Sequence, residues 1–389
     1  MNDTMGKNFK MVAKTLYGLE ELLAQELRQL GAGAIEIGTR NVSFEGDTGF
    51  MYKANLCCRT AIKILKPITA FNVFSEEDLY KRIYDMPWEH YMSAKGSLAI
   101  DATVFSEQFT HSQYVAFKTK DAIVDRFRDR DGERPNVDLD HPTLRINVHI
   151  DRNICTVSLD SSGHSLHKRG YKTESTVAPI NEVLAAGMIM LSGWSGQCDL
   201  MDPMCGSGTI VTEAAMIACN IPPNLNRDEF GFETWPDFDV NLYERIEDAA
   251  LSKIRDFHFK IYGFDVDPLA VKKAKENAKN ANLQDFIDFE VKNFFESEKV
   301  TGRQLYMIFN PPYDERISVA DISKFYADIG STLKHGYAGT QAWMITSNME
   351  ALKHVGLRPS AKIKLYNGKL ESKFVRYEMY EGSKKEKKQ

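Results

Sequence analysis

A glycine-rich turn between an apolar strand and an apolar helix most constrains the fold of this chain. CDLMD predicts a buried strand, PMCGSGT a tight turn and IVTEAAMIACN a helix, over residues 198–220. From Tyr171 onward, similar strands and helices alternate, which predicts a doubly wound, mostly parallel α/β sheet. The Asn367-Gly368 pair predicts an antiparallel hairpin at the end of that sheet.

The residues before 166 show a different pattern, with shorter strands and helices. LEELLAQELRQLG has apolar residues at helical spacing and Gly31 as its stop, and a hairpin turn is expected at residues 151–153. This region predicts one or two small α/β layers. We therefore predict domains at residues 1–65, 66–165 and 166–389, the last with a Rossmann-like fold.

The charge balance restricts how the protein could bind nucleic acid. The chain has 49 Lys and Arg against 54 Asp and Glu, a net charge of −5. Such a chain does not bind nucleic acid over its whole surface, so any phosphate contact must be local. A solvated charged face explains each basic segment about equally well. The candidate RNA contacts lie in FKTKDAIVDRFRDR and HKRGYK: Lys118, Lys120, Arg126, Arg128, Lys168, Arg169 and Lys172.

Membrane and metal partners are not expected. Apolar stretches such as EVLAAGMIMLSGW are shorter than the roughly 20 residues of a membrane helix, and the first residues do not resemble a secretory signal. We therefore predict a cytoplasmic protein. The six cysteines form no regular pattern, which favours reduced thiols over disulfides or a metal site.

The glycine turn could hold a nucleoside cofactor. Glycines there let the backbone approach a ligand, and the helix N-terminus favours an anionic group. A dinucleotide motif would need glycine where Val211 stands, and a phosphate loop would need a lysine, so S-adenosylmethionine is the better candidate. An ordinary strand-to-helix turn would look similar. The predicted contacts are Asp202, Pro203, Cys205, Gly206, Gly208 and Thr209.

Polar residues follow the next two predicted strands. Asp265 ends the strand in YGFDVDP and is followed by Val266. The Asp265 carboxylate could accept both ribose hydroxyls, while Asp267 is expected to cap the following helix. Asn293 could bond an adenine edge beside Phe294. We predict Asp265, Val266, Asn293 and Phe294 as cofactor contacts.

The segment NPPY follows the apolar run LYMIF. The lone pair of an exocyclic base amine is delocalised into the ring. If the side chain of Asn310 and the carbonyl of Pro311 accept its two hydrogens, that lone pair is directed at the cofactor methyl group. Pro312 stiffens the turn, and Tyr313 could stack on a flipped-out base. These four residues are the predicted catalytic group, and Asn310 is also counted as a cofactor contact.

DPMCGSGT, GFDVDP and NPPYDERI resemble motifs I, II and IV of class I S-adenosylmethionine-dependent amino-methyltransferases. HKRGYKTESTVAPINEVLAAGMIMLSGW resembles the segment that joins a THUMP domain to the catalytic domain in bacterial 23S rRNA guanine-N2 methyltransferases. The resemblance implies a ferredoxin-like unit, a THUMP domain and one methyltransferase domain. It also places Thr176, Pro179 and Asn181 at the methionine end of the cofactor, although the family often has other residues at positions 181 and 293.

The residue chemistry leaves the target open, since guanine N2 and adenine N6 present similar amino groups. Guanine in 23S rRNA is implied by the resemblance alone. A tRNA guanine-N2 methyltransferase and a DNA adenine-N6 methyltransferase are the alternative enzymes. A non-catalytic RNA-binding module is the alternative of a different class, and cofactor binding would exclude it.

Overall fold

The computed structural model describes residues 6–173, 180–312 and 319–380, which divide into two compact units. Each unit is built from separate stretches of sequence. The first contains residues 6–15, 24–166 and 228–249, and the second contains residues 16–23, 167–227 and those from 250 onward. This division differs from the predicted one, in which each domain was continuous.

Short strands and four α-helices form the described chain from residue 6 to residue 166. In order, they are β1 (Phe9–Lys14), α1 (Glu20–Leu30), β2 (Gly33–Gly38), β3 (Asn41–Gly46), α2 (Thr48–Cys57), β4 (Lys63–Asn72), α3 (Glu76–Tyr84), β5 (Ser97–Phe105), α4 (Ser112–Asp131), β6 (Asn136–Val137), β7 (Leu144–Asp151) and β8 (Ile154–Asp160).

Longer helices alternate with strands in the described residues after 166. They are α5 (Glu182–Ser192), β9 (Asp199–Asp202), α6 (Thr209–Ala218), α7 (Val240–Leu251), β10 (Ile261–Asp265), α8 (Pro268–Asn280), β11 (Ile287–Val291), β12 (Leu305–Phe309), α9 (Val319–Gly336), β13 (Thr340–Thr346), β14 (Ala361–Asn367) and β15 (Leu370–Glu378).

The first unit contains one continuous sheet with strand order β2-β3-β1-β4-β8-β7-β5-β6. Strand β4 joins its two halves, because residues 63–65 pair with β1 and residues 65–72 pair with β8. The predicted boundary between residues 65 and 66 therefore falls inside a strand that both halves share.

Residues 228–249 join the first unit through an aromatic cluster. The ring of Tyr52 on α2 stacks on Phe232 at a centroid distance of 4.3 Å and meets Tyr243 edge-on at 6.0 Å. The backbone N–H of Asp239 also donates to the Tyr52 hydroxyl at 3.2 Å. Residues 228–249 thus contribute to the core of the first unit, although the sequence on both sides of them belongs to the second unit.

The second unit contains a sheet of order β11-β10-β9-β12-β13-β15-β14. Strands β9 to β13 are parallel, and β15 pairs antiparallel with both β13 and β14, which confirms the predicted fold class. The chain builds outward from β9 to β11 and then returns to place β12 against β9. Ligands of open α/β sheets bind at such a switch point, outside the carboxyl ends of the strands.

Helix α9 covers the sheet beside that switch point. Its residues Ile322, Tyr326, Ile329 and Leu333 recur at helical spacing and are buried against Met307 of β12 and its neighbours. The hydroxyl groups of Tyr326 and Thr346 lie 2.6 Å apart, so the helix is also tied to the end of β13. This packing fixes the strand ends that carry the polar residues.

Candidate active site

Three predicted polar residues come together at the carboxyl edge of the second sheet. Asp202 is the last residue of β9, Asp265 is the last residue of β10, and Asn310 directly follows β12. Asp202 pairs with Gly263 in the parallel register, so Asp265 extends two residues beyond it. These three residues surround the switch point between β9 and β12.

The glycine loop folds back onto the neighbouring strand through two backbone donors. The N–H of Cys205 donates to the Phe264 carbonyl at 2.8 Å, and the N–H of Gly206 donates to Asp265 Oδ2 at 2.8 Å. Gly206 has φ of 54° and Gly208 has φ of 81°, which lie in the left-handed region that favours glycine. The turn therefore requires these glycines whether or not a ligand is bound.

Gly208 also lets α6 approach α8 closely. A Cβ atom on Gly208 would lie 3.0 Å from the Cβ of Ala274, closer than side chains normally pack. On the same helix, Asn277 is buried and its side-chain amide donates to the Ser207 carbonyl at 3.0 Å. Two contacts therefore fix the glycine loop: Asn277 of α8 bonds the Ser207 carbonyl, and Asp265 accepts from the Gly206 N–H.

Both oxygens of the Asp265 carboxylate already accept backbone hydrogen bonds, Oδ2 from Gly206 and Oδ1 from Asp267 at 3.0 Å. A carboxylate oxygen can accept more than one hydrogen bond, so the half-buried group keeps capacity for hydroxyl donors. Asp267 accepts from the Leu269 N–H at 2.9 Å and caps α8, as predicted. Val266 is 71% exposed.

Asp202 is buried beside this carboxylate, and burial raises the pKa of Asp202 well above its usual range. The nearby charge of Asp265 raises that pKa further, while a hydrogen bond from the Met204 N–H at 3.0 Å opposes the shift. Burial likewise raises the pKa of the Cys205 thiol. The loop therefore disfavours additional negative charge at these two groups.

The NPPY segment is described as far as its second proline. Pro311 is buried, while Asn310 and Pro312 are partly exposed at the end of β12. Tyr313, like Thr176 and Pro179, lies outside the described residues. Asn181, predicted at the methionine end, caps α5 by accepting from the N–H groups of Val183 at 3.0 Å and Leu184 at 3.3 Å.

The two residues predicted at the adenine lie in different surroundings. Asn293 is half-buried, accepts from the Phe295 N–H at 3.1 Å and donates to Glu296 at 2.9 Å. Phe294 is 3% exposed and packs in the core against Phe309 and Tyr337. The Phe294 ring thus has no exposed face at the sheet edge, unlike Asn293.

Three family models match successive parts of the chain. The RlmL ferredoxin-like domain matches residues 10–65, the THUMP domain residues 74–160, and the RMKL-like methyltransferase domain residues 169–376. The last match spans 208 of the 389 residues. The chain belongs to the RMKL-like methyltransferase family. This membership confirms the resemblance on which the domain types were predicted.

Several relatives of this RMKL-like chain are similar over nearly its whole length. A ribosomal RNA large subunit methyltransferase K/L of Syntrophotalea carbinolica is 37% identical, over 97% of this chain and 54% of that protein. Protein slr0064 of Synechocystis sp., provisionally described as an RNA methyltransferase, is also 37% identical, over 93% of this chain and 95% of its own. The chain spans about half the length of the curated K/L relatives it matches.

Solved structures have the same architecture. SMU.472, crystallised in complex with SAH, aligns with a TM-score of 0.85 and 29% identity, over 97% of this chain and 100% of that chain. No helix in the described part of the RMKL-like chain is long and apolar enough to cross a membrane. The same residues contain no group of three or more His, Cys, Asp or Glu side chains that could hold a metal ion.

The basic segment HKRGYK of the RMKL-like chain is partly buried, with Arg169 and Tyr171 in the interior. The Arg169 guanidinium is fully buried, with Nε 3.3 Å from Glu213 Oε1 and Nη1 3.2 Å from Asn224 Oδ1. Lys172 Nζ donates to Glu182 at 2.9 Å and Thr209 at 3.0 Å. We therefore correct the RNA-contact assignment of Arg169, whose cation is buried in the interior. Lys172 is partly buried and paired, Lys168 is exposed, and RNA contact by these two stays a prediction.

Lys172 instead ties two helix starts of the RMKL-like domain together. Glu182 and Thr209 are the first residues of α5 and α6, and α6 directly follows the glycine loop. Sequence reasoning missed Glu213 and Asn277. An ionisable residue inside the apolar helix TIVTEAAMIA, and an asparagine on the buried face of α8, were the available signals.

The basic residues of α4 are mostly paired within the first unit. Lys120 contacts Asp121 at 2.7 Å and Arg128 contacts Asp125 at 2.9 Å, while Lys118 Nζ lies 5.4 Å from the Tyr80 ring centroid. Arg126 holds Glu89 with two hydrogen bonds of 2.9 and 3.1 Å. These bonds lower the pKa of Glu89 to about 2. Phosphate binding by α4 stays a prediction, with Arg126 the residue most committed to structure.

Proposed function

We propose that this chain transfers a methyl group from S-adenosylmethionine to the exocyclic amine of a base in RNA, with N2 of a guanosine in 23S rRNA as the target. One observation supports it most strongly. The hydrogen bond from the Gly206 N–H to Asp265 Oδ2 joins the glycine loop to an acidic strand end, beside Asn310 at the switch point. A loop, a carboxylate and an amide are thereby gathered where this fold binds ligands.

The residues at this edge have the chemistry that S-adenosylmethionine needs. Asp265 supplies a charged acceptor for the ribose hydroxyls, and the glycines leave space for close backbone contact. The exposed side chain of Val266 would lie beside the adenine, with Asn293 near its polar edge. When bound, the cofactor supplies an electrophilic methyl group on a sulfonium.

The asparagine and first proline after β12 would prepare the nucleophile. The Asn310 side-chain oxygen and the Pro311 carbonyl accept the two amine hydrogens, so that the nitrogen lone pair turns toward the methyl group. The buried ring of Pro311 limits how far this acceptor pair can move. Burial raises the pKa of Asp202, so a second negative charge on this residue, beside Asp265, is unfavourable.

The choice of RNA is supported by the domains that precede the catalytic unit. A THUMP domain model matches residues 74–160, and the relatives above are named as ribosomal RNA or RNA methyltransferases. The segment HKRGYKTESTVAPINEVLAAGMIMLSGW, which resembles that of guanine-N2 methyltransferases, favours guanine over adenine. The protein is expected to act in the cytoplasm.

The test is to incubate the full-length protein with unmodified 23S rRNA, tRNA and DNA and with labelled S-adenosylmethionine, then identify methylated nucleosides by mass spectrometry. We expect N2-methylguanosine from rRNA. N2-methylguanosine from tRNA alone, or N6-methyladenosine from DNA, would replace the proposed target.

Asn310→Ala serves as the mechanistic variant in the same assay. The rate of this variant should fall about 10²- to 10³-fold, as when one oriented transition-state partner is removed. Its dissociation constant for S-adenosylhomocysteine in a calorimetric titration should stay nearly the same, because the side chain acts mainly on the base. Normal turnover by this variant would exclude the proposed role of Asn310. Failure of the wild-type protein to bind either cofactor form would leave a non-catalytic RNA-binding module.

A further inference from the structure

The end of the second sheet carries a concentration of positive charge that the proposed chemistry does not use. Residues 358–376 contain six Lys or Arg and one Glu, although the whole chain has a net charge of −5. Most of these residues lie on β14, on β15 or in the turn that joins them. The six are Arg358, Lys362, Lys364, Lys369, Lys373 and Arg376.

The strand register places this hairpin's turn at the same sheet edge as the candidate active site. Phe309, next to Asn310, pairs with Met344 of β13, and Thr346 pairs with Lys373 of β15. Lys373 in turn lies directly opposite Lys364 of β14. Because neighbouring strands are about 4.8 Å apart, β14 lies roughly 14 Å from the strand that presents Asn310.

Lys364 and Lys373 place two cations directly opposite each other on the hairpin. Such a like-charge pair is unfavourable where no counter-charge is near. Lys364 Nζ is compensated by Glu371 at 2.8 Å, and both side chains are about half exposed. In the described part of the chain, Lys369 and Lys373 form no ion pair. Lys369 and Lys373 can therefore pair with an anionic ligand that lies across the hairpin.

Two tyrosines accompany the lysines. Tyr366 lies two residues after Lys364 on the same face of β14, with Lys364 Nζ 5.4 Å from its ring centroid. The Tyr366 ring also meets that of Tyr17 edge-on at a centroid distance of 5.4 Å. Tyr17 is 39% exposed and belongs to the segment 16–23 of the second unit. Lysines interleaved with accessible aromatic rings are typical of surfaces that bind single-stranded nucleic acid, in which the lysines contact phosphates and the rings stack on bases.

We propose that the β14–β15 hairpin is an RNA-binding surface that holds the strand next to the target nucleotide, with Lys364, Lys369 and Lys373 on its phosphates and Tyr366 and Tyr17 beside its bases. This inference rests on the proposed function, because the RNA must enter the site at Asn310. The hairpin lies three strand spacings from β12, a distance that suits nucleotides flanking the target.

The test compares two triple variants of the full-length protein that lose the same charge. Lys364→Gln/Lys369→Gln/Lys373→Gln alters the hairpin, and Lys272→Gln/Lys275→Gln/Lys279→Gln alters the exposed side of α8. Binding of a short, mixed-sequence, fluorescein-labelled single-stranded RNA is followed by anisotropy at several salt concentrations. Three lost phosphate contacts should lower the salt slope by about 2, at about 0.7 per phosphate for single strands.

We expect that slope change in the hairpin variant and none in the α8 variant, with thermal melting and S-adenosylhomocysteine affinity unchanged in both. Equal slopes for the hairpin variant and the wild type would overturn the inference and leave the proposed function intact. If the wild-type protein binds S-adenosylhomocysteine but no RNA, the proposed RNA substrate fails as well, and the two failures are told apart by that wild-type measurement.

Discussion

At the residue scale, the carboxylates of the candidate site are predicted to bind the cofactor, and they also hold backbone N–H groups of the glycine loop. Asp265 is predicted to bind the ribose, yet it also holds the Gly206 N–H and the Asp267 N–H. Asp202 lies beside it, buried, with its pKa raised by burial. Removing either carboxylate therefore changes the loop as well as the ligand contacts, and each prediction needs a control that separates the two effects.

Replacing Asp265 with alanine should weaken cofactor binding. A hydrogen bond to a charged group contributes roughly 1.5–3 kcal/mol, so the dissociation constant for S-adenosylhomocysteine should rise about ten- to a hundredfold in a calorimetric titration. Asp267→Ala is the control, since it removes the cap of α8 two residues away but no predicted ligand contact. Equal affinities for Asp265→Ala and the wild type would show that Asp265 is only structural.

Replacing Asp202 with asparagine should change how stability depends on pH. A raised pKa in the folded state means that this carboxyl group favours folding below its unfolded pKa of about 3.9 and loses that contribution as pH rises through the folded value. Asparagine does not titrate and can still accept from Met204. In urea unfolding, Asp202→Asn should therefore gain stability relative to the wild type between acidic and neutral pH. A constant difference across that range would contradict the buried, protonation-sensitive Asp202 described here.

At the scale of elements, local signals predicted the helix ends well and the partners of buried charges poorly. Asp267 followed by Pro268 is a cap that the sequence alone identifies, and the structure confirms it. The basic run at residues 167–172 gave no such signal, because Glu213 lies 44 residues from Arg169 in the chain. A charged residue is expected to be exposed unless it has a buried partner. The partner of Arg169, Glu213, is brought close to it only by the fold.

The ion pair between Arg169 and Glu213 gives a prediction about the segment that leads into α5. Both side chains are fully buried, so Arg169→Met leaves the Glu213 carboxylate in the interior without this cation, although the Tyr171 hydroxyl still donates to it at 3.1 Å. The free energy of unfolding should fall by about 3–5 kcal/mol. Arg169→Met/Glu213→Leu removes both charges and should recover most of that loss in denaturant titrations. A double variant as unstable as the single one would mean that packing, not charge, explains the effect.

At the scale of the whole molecule, the two units exchange pieces of sequence. Residues 16–23 belong to the second unit and residues 228–249 to the first. The alternation of strands and helices predicted both sheets, but it could not predict this exchange, because an apolar pattern shows that a face is buried without showing which core buries it. That both halves of the first sheet share β4 was not predicted for the same reason, since a strand pattern does not show which strands it pairs with.

Leu19 should therefore act as a core residue of the second unit, although the rest of that unit begins only at residue 167. It is fully buried, and a Cβ atom on Gly187 of α5 would lie only 2.6 Å from its Cδ1 atom. Leu19→Ala opens a cavity at this contact and should cost about 2–5 kcal/mol, with faster hydrogen exchange in α5. Leu22→Ala makes the same substitution at a partly exposed position and should cost less. If both variants lose the same stability and α5 exchanges at its wild-type rate, Leu19 does not belong to this core.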